Sequence, residues 1–276
     1  MIRRRFYAPP ESFAPDGASV VLAREETLHL RSVLRLQAGD EAFVFDGAGR
    51  EYACVVVAAS EGSGTRRGAE KATLEVRAQV EPERPESPLE LTLAVALLKG
   101  EKFDLVVQKA TELGVSRVVP VLTKRADVRV REGHDGAAAS RVARWRRVAL
   151  EAAKQSGRAR LPEVCAPVEF AALLASTNAS GAASAANTPD ARAERRLFFT
   201  ERGGRGLTET LGEWSRARPS KLTALVGAEG GWEDAEIAQG KAAGWHAVTF
   251  GGRILRAETA AIVVAALLQH LYGDLV

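Results

Sequence analysis

Three stretches of this chain put chemically able side chains among glycines or at the end of an apolar run. The first is Phe198-Phe199-Thr200-Glu201. The second is Leu225-Val226-Gly227-Ala228-Glu229-Gly230-Gly231-Trp232, followed by Glu233, Asp234 and Glu236. The third runs Phe250-Gly251-Gly252-Arg253-Ile254-Leu255-Arg256-Ala257-Glu258-Thr259-Ala260. Glycine lets a backbone approach a ligand closely, and a glycine-rich loop that opens a helix ordinarily points to phosphate. Here Glu229 stands among the glycines, and both the P-loop lysine and a GxGxxG are missing.

A carboxylate in that position repels phosphate but suits a ligand with hydroxyls or positive charge. S-adenosylmethionine has both, in its ribose, its ammonium and its sulfonium. Taken alone, GAEGG is equally explained as a tight turn. The third stretch says more, because Arg253, Arg256, Glu258 and Thr259 stand before a helix too apolar to need them for solubility. The competing reading is a capping and salt-bridge set.

Such residues need elements to hold them. From Leu89 the pattern predicts strands alternating with helices: a strand over Leu89–Leu98, a helix over Glu101–Leu113 ended by Gly114, and a strand over Val115–Leu122. A helix over Arg141–Gln155, strands at Leu197–Thr200, Leu222–Val226 and Ala247–Phe250, and a closing helix over Ala257–Leu271 follow. That alternation implies a mostly parallel sheet with helices on both faces, where ligands sit at the carboxyl ends of strands. The closing helix is apolar nearly all round, which predicts burial. Residues 1–83 read as β-rich, with a hairpin from Glu41–Phe45 and Glu51–Val57 around Asp46-Gly47 and a further strand at Ala72–Val80. A short helix over Glu25–Leu36 is expected to turn Leu28, Val33, Leu34 and Leu36 inward. Three prolines and the charges of residues 81–88 mark a boundary, giving a barrel at 1–83, a linker at 84–88 and an α/β domain at 89–276. Two insertions are expected, a polar loop at 61–71 and a flexible segment at 176–192.

Formal net charge is only +3, but Arg117–Arg160 holds twelve Lys/Arg against four Asp/Glu. Charge gathered in this way suits a polyanion, against the plainer reading of a solvated basic face.

Taken together, GAEGGWEDAE and FGGRILRAETA closely resemble the two C-terminal signatures of the 16S ribosomal RNA (uracil-N3)-methyltransferase family, RsmE, within the SPOUT methyltransferases. The likeness continues in Arg3-Arg4-Arg5-Phe6-Tyr7, in His29-Leu30-Arg31-Ser32-Val33-Leu34-Arg35 and in Leu98-Lys99-Gly100-Glu101-Lys102. It also covers residues 109–115 and 151–158. The family usually has proline where Ala228 stands and threonine where Ala257 stands, both mild departures. The resemblance implies a PUA-like β-barrel domain and a trefoil-knotted α/β domain. It further implies a homodimer and S-adenosylmethionine held by the three strand-end loops. On that reading Thr200, Glu201, Val226, Gly227, Glu229, Gly231, Phe250, Gly251, Ile254, Leu255, Thr259 and Ala260 bind the cofactor, with Ile254 and Leu255 as an apolar wall. Arg256 or an N-terminal arginine supplies charge to the uracil and Glu258 orients the loop, while Glu201 and Glu229 are candidates for a base. Arg3, Arg5, Arg125, Arg129, Arg144, Arg147 and Arg158, with Arg131 and Arg160, contact phosphates of 16S ribosomal RNA in the small subunit.

Other classes fit less well. No apolar run reaches the roughly 18 residues a membrane span requires, and MIRRRFYAPP lacks the apolar stretch of a secretory signal. Cys54 and Cys165 lie outside any CxxC, and the four histidines lack ligand spacing, so the expectation is a reduced cytoplasmic protein without metal. Trp145 is expected in the core rather than stacked on a base. The nearest rival is a methyltransferase acting on transfer RNA or a ribose hydroxyl. A non-catalytic RNA-binding protein and a dinucleotide enzyme are further removed.

Overall fold

The computed structural model describes residues 3–57, 71–126, 135–182, 194–212, 214 and 218–275. Arg129, Arg131 and most of both expected insertions lie outside the described residues. The chain forms two compact units, one of Met1–Glu86 with Ala153–Leu161, the other of Ser87–Ala152 with Pro162–Val276.

In the smaller unit, β1 (Arg5–Tyr7), β2 (Ser19–Val21), β3 (Glu41–Phe45), β4 (Glu51–Val56) and β5 (Thr73–Val80) make a five-stranded sheet in the order β1-β3-β4-β5-β2. The expected hairpin is present, with Phe45 paired to Glu51 across the turn. Only β1 runs parallel to its neighbour. Phe6, Val20, Leu22, Leu30, Val44, Cys54 and Leu74 fill the core. Burial pushes the Cys54 thiol up to about 12, as suits an inert core residue.

The helix expected over Glu25–Leu36 differs from its prediction. α1 covers only Arg24–Leu28, and a π-helical turn follows at His29–Val33. Its wider bond, from the Leu34 N–H to the His29 carbonyl at 3.0 Å, rotates the register. Leu30 and Leu36 are therefore buried while Leu28, Val33 and Leu34 face outward, which corrects the inward expectation for those three.

The larger unit is built on an eight-stranded parallel sheet. In chain order the elements are β6 (Glu90–Ala96), α2 (Glu101–Glu112), β7 (Arg117–Leu122), α3 (Asp135–Ser156), β8 (Glu163–Val164), β9 (Val168–Glu169), α4 (Phe170–Ala182) and β10 (Arg195–Phe199). Then come β11 (Arg205–Gly206), α5 (Leu207–Gly212), β12 (Lys221–Val226), α6 (Asp234–Ala242), β13 (His246–Thr249) and α7 (Ala257–Tyr272). Only residues 135–152 of α3 belong to this unit. The sheet order is β11-β13-β10-β12-β6-β7-β8, with β9 also on β7. Burial on both faces explains the predominantly apolar β6 and β12, each interrupted after its charged first residue by a single threonine.

One face carries α2 and α7 over Leu91, Leu93, Val95, Leu222, Ala224 and Val226. The other packs Phe170, Leu173 and Leu174 of α4 with Phe198, Leu225, Trp232 and Trp245. Trp145 is a core residue, its ring 4.5 Å from that of Phe103. In α7, Ala257, Glu258, Ala261, Val264, Ala265, Leu268 and Gln269 are buried, while Ile262, Val263, Ala266 and Leu267 are only half-buried. The expected burial of this helix thus holds for one side. Of the segment expected to be flexible at 176–192, residues 176–182 are helical, in the last turns of α4, and the rest lies outside the described residues.

Candidate active site

Parallel pairing sends the carboxyl ends of β13, β10, β12 and β6 to one edge of the sheet, side by side in that order. The three loops singled out in the sequence follow β10, β12 and β13, so their adjacency is a consequence of strand order. A fourth loop follows β6 and leads into α2.

The β12 loop is tied down at its far end by Trp232. This side chain is 1% exposed, and its indole N–H donates to the Phe199 carbonyl at 2.9 Å, binding the GAEGG turn to the end of β10. Phe198 meets the indole edge-on at 4.6 Å. The tryptophan also explains Gly227, where a Cβ would lie 2.6 Å from Nε1. Gly231 has φ +69°, and a Cβ there would lie 2.5 Å from a Glu201 carboxylate oxygen. That same oxygen accepts from the Trp232 backbone N–H at 3.3 Å and from Arg202.

Arg202 went unnoticed in the sequence. It donates to the Trp232 carbonyl at 2.9 Å and to Asp234 at 2.8 Å, clamping the exit of the loop. Its guanidinium holds the Asp234 carboxyl below the usual carboxylate range. Glu233 and Glu236 close a reciprocal capping box on α6. Buried Glu236 also accepts from the Lys124 N–H at 3.0 Å, and Arg125 donates to the Gly230 carbonyl at 3.1 Å.

Lys102 was missed as well, although it lies in a block that the sequence comparison had noted. It is the second residue of α2, and its ammonium binds the Glu229 carboxylate. That hydrogen bond lowers the Glu229 pKa and raises that of Lys102, with Glu258 and Arg256 acting on Lys102 through space. Four charged groups from three loops therefore share one electrostatic neighbourhood. Only three-dimensional strand order brings residue 102 to residue 229, and no local pattern carries that information.

The β13 loop opens with Phe250 stacked on Phe199 at 5.1 Å. Gly251 and Gly252 follow with φ +70° and +71°, and no atom lies within 4 Å of where a Cβ would be. Ile254 is 96% exposed, so within the chain it walls nothing, and Leu255 is half-buried. Arg256 is exposed and occupies the N-cap of α7, its carbonyl accepting from the Ala260 N–H at 2.8 Å. Glu258 is buried, and its Oε2 has no hydrogen-bond partner among the described residues. Thr259 is exposed, Ala260 half-buried, Val226 and Thr200 buried. The Thr200 hydroxyl donates to the Arg202 carbonyl at 2.9 Å.

A family model described as an RNA methyltransferase domain matches residues 85–269, and one described as an RNA methyltransferase PUA domain matches residues 22–65. A ribosomal RNA small subunit methyltransferase E from Synechocystis is 32% identical over 254 residues, covering 92% of this chain and 74% of the relative. The chain belongs to the ribosomal RNA small subunit methyltransferase E family. The family's enzyme from Neisseria gonorrhoeae, solved bound to S-adenosyl methionine, has a TM-score of 0.77. It is 29% identical, with 100% of both chains covered. A solved structure from Legionella pneumophila in complex with SAM also has a TM-score of 0.77, at 26% identity over 99% of this chain and 100% of that one. The fold is the family's SPOUT-type parallel α/β domain joined to a small PUA β-domain.

The basic residues expected on RNA divide sharply. Arg5 is 7% exposed, with its guanidinium on Glu51 at 3.1 Å and on the Arg158 carbonyl at 3.0 Å. Arg158 is 5% exposed and bound to Glu86 at 2.7 Å. Both are internal braces of the smaller unit, and the expectation of phosphate contact is corrected for them. Arg3 is partly spent on Glu51 at 3.0 Å, and Arg144 pairs with Asp104. Arg147, Arg125 and Arg160 remain exposed. Among the described residues no cluster of three or more His, Cys, Asp or Glu could hold a metal, and no helix is long and apolar enough to cross a membrane.

Proposed function

We infer that this protein transfers the methyl group of S-adenosylmethionine to N3 of a uridine in 16S ribosomal RNA, within the small subunit. The observation that carries the reading is the side-by-side placement of the β10, β12 and β13 loops at one sheet edge, in a family whose member from Neisseria gonorrhoeae was solved with that ligand.

The residues present fit the cofactor. Gly231, Gly251 and Gly252 hold positive φ and expose backbone groups for the adenine and ribose. Glu258 keeps a buried carboxylate oxygen without a partner beside a cationic pair, which suits a positively charged ligand. Thr200, Glu201, Val226, Gly227, Phe250, Leu255, Thr259 and Ala260 complete the lining. When bound, the cofactor supplies a methyl carbon already activated by sulfonium.

The protein's own task is the nucleophile, since uracil N3 carries a proton and is a weak acid. Glu201 is committed to the loop through Trp232 and Arg202, and Glu229 is held by Lys102 with its pKa lowered, which makes it a poor base. Activation therefore falls to positive charge. Arg256, exposed at the head of α7, stabilises the negative charge spread over O2 and O4 as the N3 proton passes to solvent water, leaving the N3 lone pair to take the methyl group. Glu258, in the first turn of α7, orients the loop. Arg125 and Arg147 contact phosphate, with Arg144 free to exchange Asp104 for it. The active form is a homodimer, a reading supported by the half-buried side of α7 and by exposed Ile254, and it works in the cytoplasm, a reading supported by relatives named as ribosomal RNA methyltransferases.

The test pairs calorimetric binding of S-adenosylmethionine with turnover of Arg256→Glu. Binding is expected to persist while turnover falls by about 10²–10³-fold, the range for removal of one preorganised charge-stabilising group. Normal turnover in that variant would contradict the assigned role.

A further inference from the structure

Two carboxylates and two cations meet at the reacting edge of the sheet, and they do not pair evenly. Lys102 binds Glu229 across the gap between the β6 and β12 loops, with both side chains partly exposed. The Arg256 guanidinium makes neither a hydrogen bond nor an ion pair with any described residue, although it is exposed beside the same two acids.

The reason lies in where each carboxylate sits. Glu258 is two residues beyond Arg256 at the head of α7, and side chains two apart on a helix do not face each other. Its Oε2 is buried without a partner rather than offered outward. Glu229 is different. It is exposed, it belongs to the β12 loop rather than to α7, and the Arg256 charge acts on it through space. Of the two acids it is the one placed to capture Arg256, and Lys102 already occupies it. Lys102 is suited to hold that place, because it stands in the first turn of α2 next to wholly buried Phe103. Arg256, in contrast, ends a loop that begins with two glycines at positive φ. An arginine bound to a carboxylate has its donors engaged and its charge neutralised, and would have to break that pair before it could serve uracil O2 and O4.

We propose that Lys102 is a positioning residue for methyl transfer: by occupying Glu229 it keeps the Arg256 guanidinium unpaired and available to the uracil. In this role Lys102 acts through Glu229. The proposal rests on the reading above, in which Arg256 stabilises the uracil anion, and it names the residue that holds that arginine ready.

The test measures kcat on small ribosomal subunits at saturating cofactor for wild type, Lys102→Met, Lys102→Arg, Glu229→Gln and Lys102→Met/Glu229→Gln. Lys102→Met is expected to lower kcat by about fivefold, the upper end for a partly exposed ion pair formed in competition. Lys102→Arg, which can keep the pair, should restore most of that loss. The double variant decides. Removing the Glu229 charge frees Arg256 again, so kcat should climb back from the Lys102→Met value by about threefold or more. A pair that merely held the loop is broken in both proteins and gives no recovery, and a lysine that itself touched the substrate gives none either. Absence of recovery therefore overturns the proposal. A crystal structure of Lys102→Met should show the Arg256 guanidinium on the Glu229 carboxylate, and an Arg256 still unpaired there refutes the proposal equally. Normal turnover by Arg256→Glu would instead sink the reading beneath it, while the Lys102→Met structure would still report on the pairing.

Discussion

Replacing Trp232 with phenylalanine tests how the site is held. The change deletes one buried donor, the indole N–H that meets the Phe199 carbonyl at 2.9 Å, and shrinks a ring that is 1% exposed. Phe199 is itself 6% exposed, so its carbonyl loses its donor away from water. Leaving such an acceptor unsatisfied costs about 1–3 kcal/mol, and the space left by the smaller ring adds about 1 kcal/mol. Together the larger unit should lose about 2–4 kcal/mol. All four tryptophans, Trp145, Trp214, Trp232 and Trp245, lie in that unit, so tryptophan fluorescence during unfolding reports on it alone. With a guanidinium slope of about 4 kcal/mol per molar, the midpoint should fall by about 0.5–1 M. The bond also ties the GAEGG turn to the end of β10, so its loss should loosen both loops and weaken cofactor binding by about fivefold, the cost of re-ordering roughly one residue. A midpoint shift below about 0.2 M, with cofactor binding unchanged, would refute the claim that this indole anchors the site.

Other consequences can be measured alongside. Gly231→Ala should cost more than Gly251→Ala, since both add the roughly 1–2 kcal/mol of left-handed strain but only the first drives a Cβ to 2.5 Å from Glu201; equal cofactor affinities in the two would count against that contact. Lys102→Met should differ from wild type in cofactor binding near neutral pH. Because the folded pKa of Glu229 is depressed, the Lys102–Glu229 contribution is present above the ordinary carboxylate pKa and is lost as pH falls through the lowered value, so the two proteins should converge in acid. A difference independent of pH would exclude the ion pair as its source. Arg158→Ala should destabilise the smaller unit by about 3 kcal/mol, as expected when one partner of a buried pair is removed. The salt dependence of RNA binding should be unaltered, because this guanidinium is not available to phosphate.

The parallel α/β unit was legible because its central strands are buried on both faces and therefore read as predominantly apolar runs, and because Gly114 marks the end of α2 locally. The three loops were legible for a related reason: Gly231 and Gly251 hold conformations that glycine adopts without cost, so their chemistry leaves a signature in sequence. Lys102 and Arg202 left none, since each acts on a residue brought near by sheet order. The basic count between Arg117 and Arg160 misled in part, because sequence registers the charge of Arg158 but not Glu86 beside it. The same limit applies to Val33 and Leu34, whose outward turn depends on a single wider hydrogen bond that periodicity assumes away.

The most direct test of the central claim is methyl transfer from labelled S-adenosylmethionine to small ribosomal subunits prepared from a strain lacking this gene, with mass spectrometry of the product nucleosides. The account predicts incorporation that appears as 3-methyluridine in 16S ribosomal RNA. Label in a ribose methyl, label in another base, or no incorporation by protein that demonstrably binds the cofactor would contradict it.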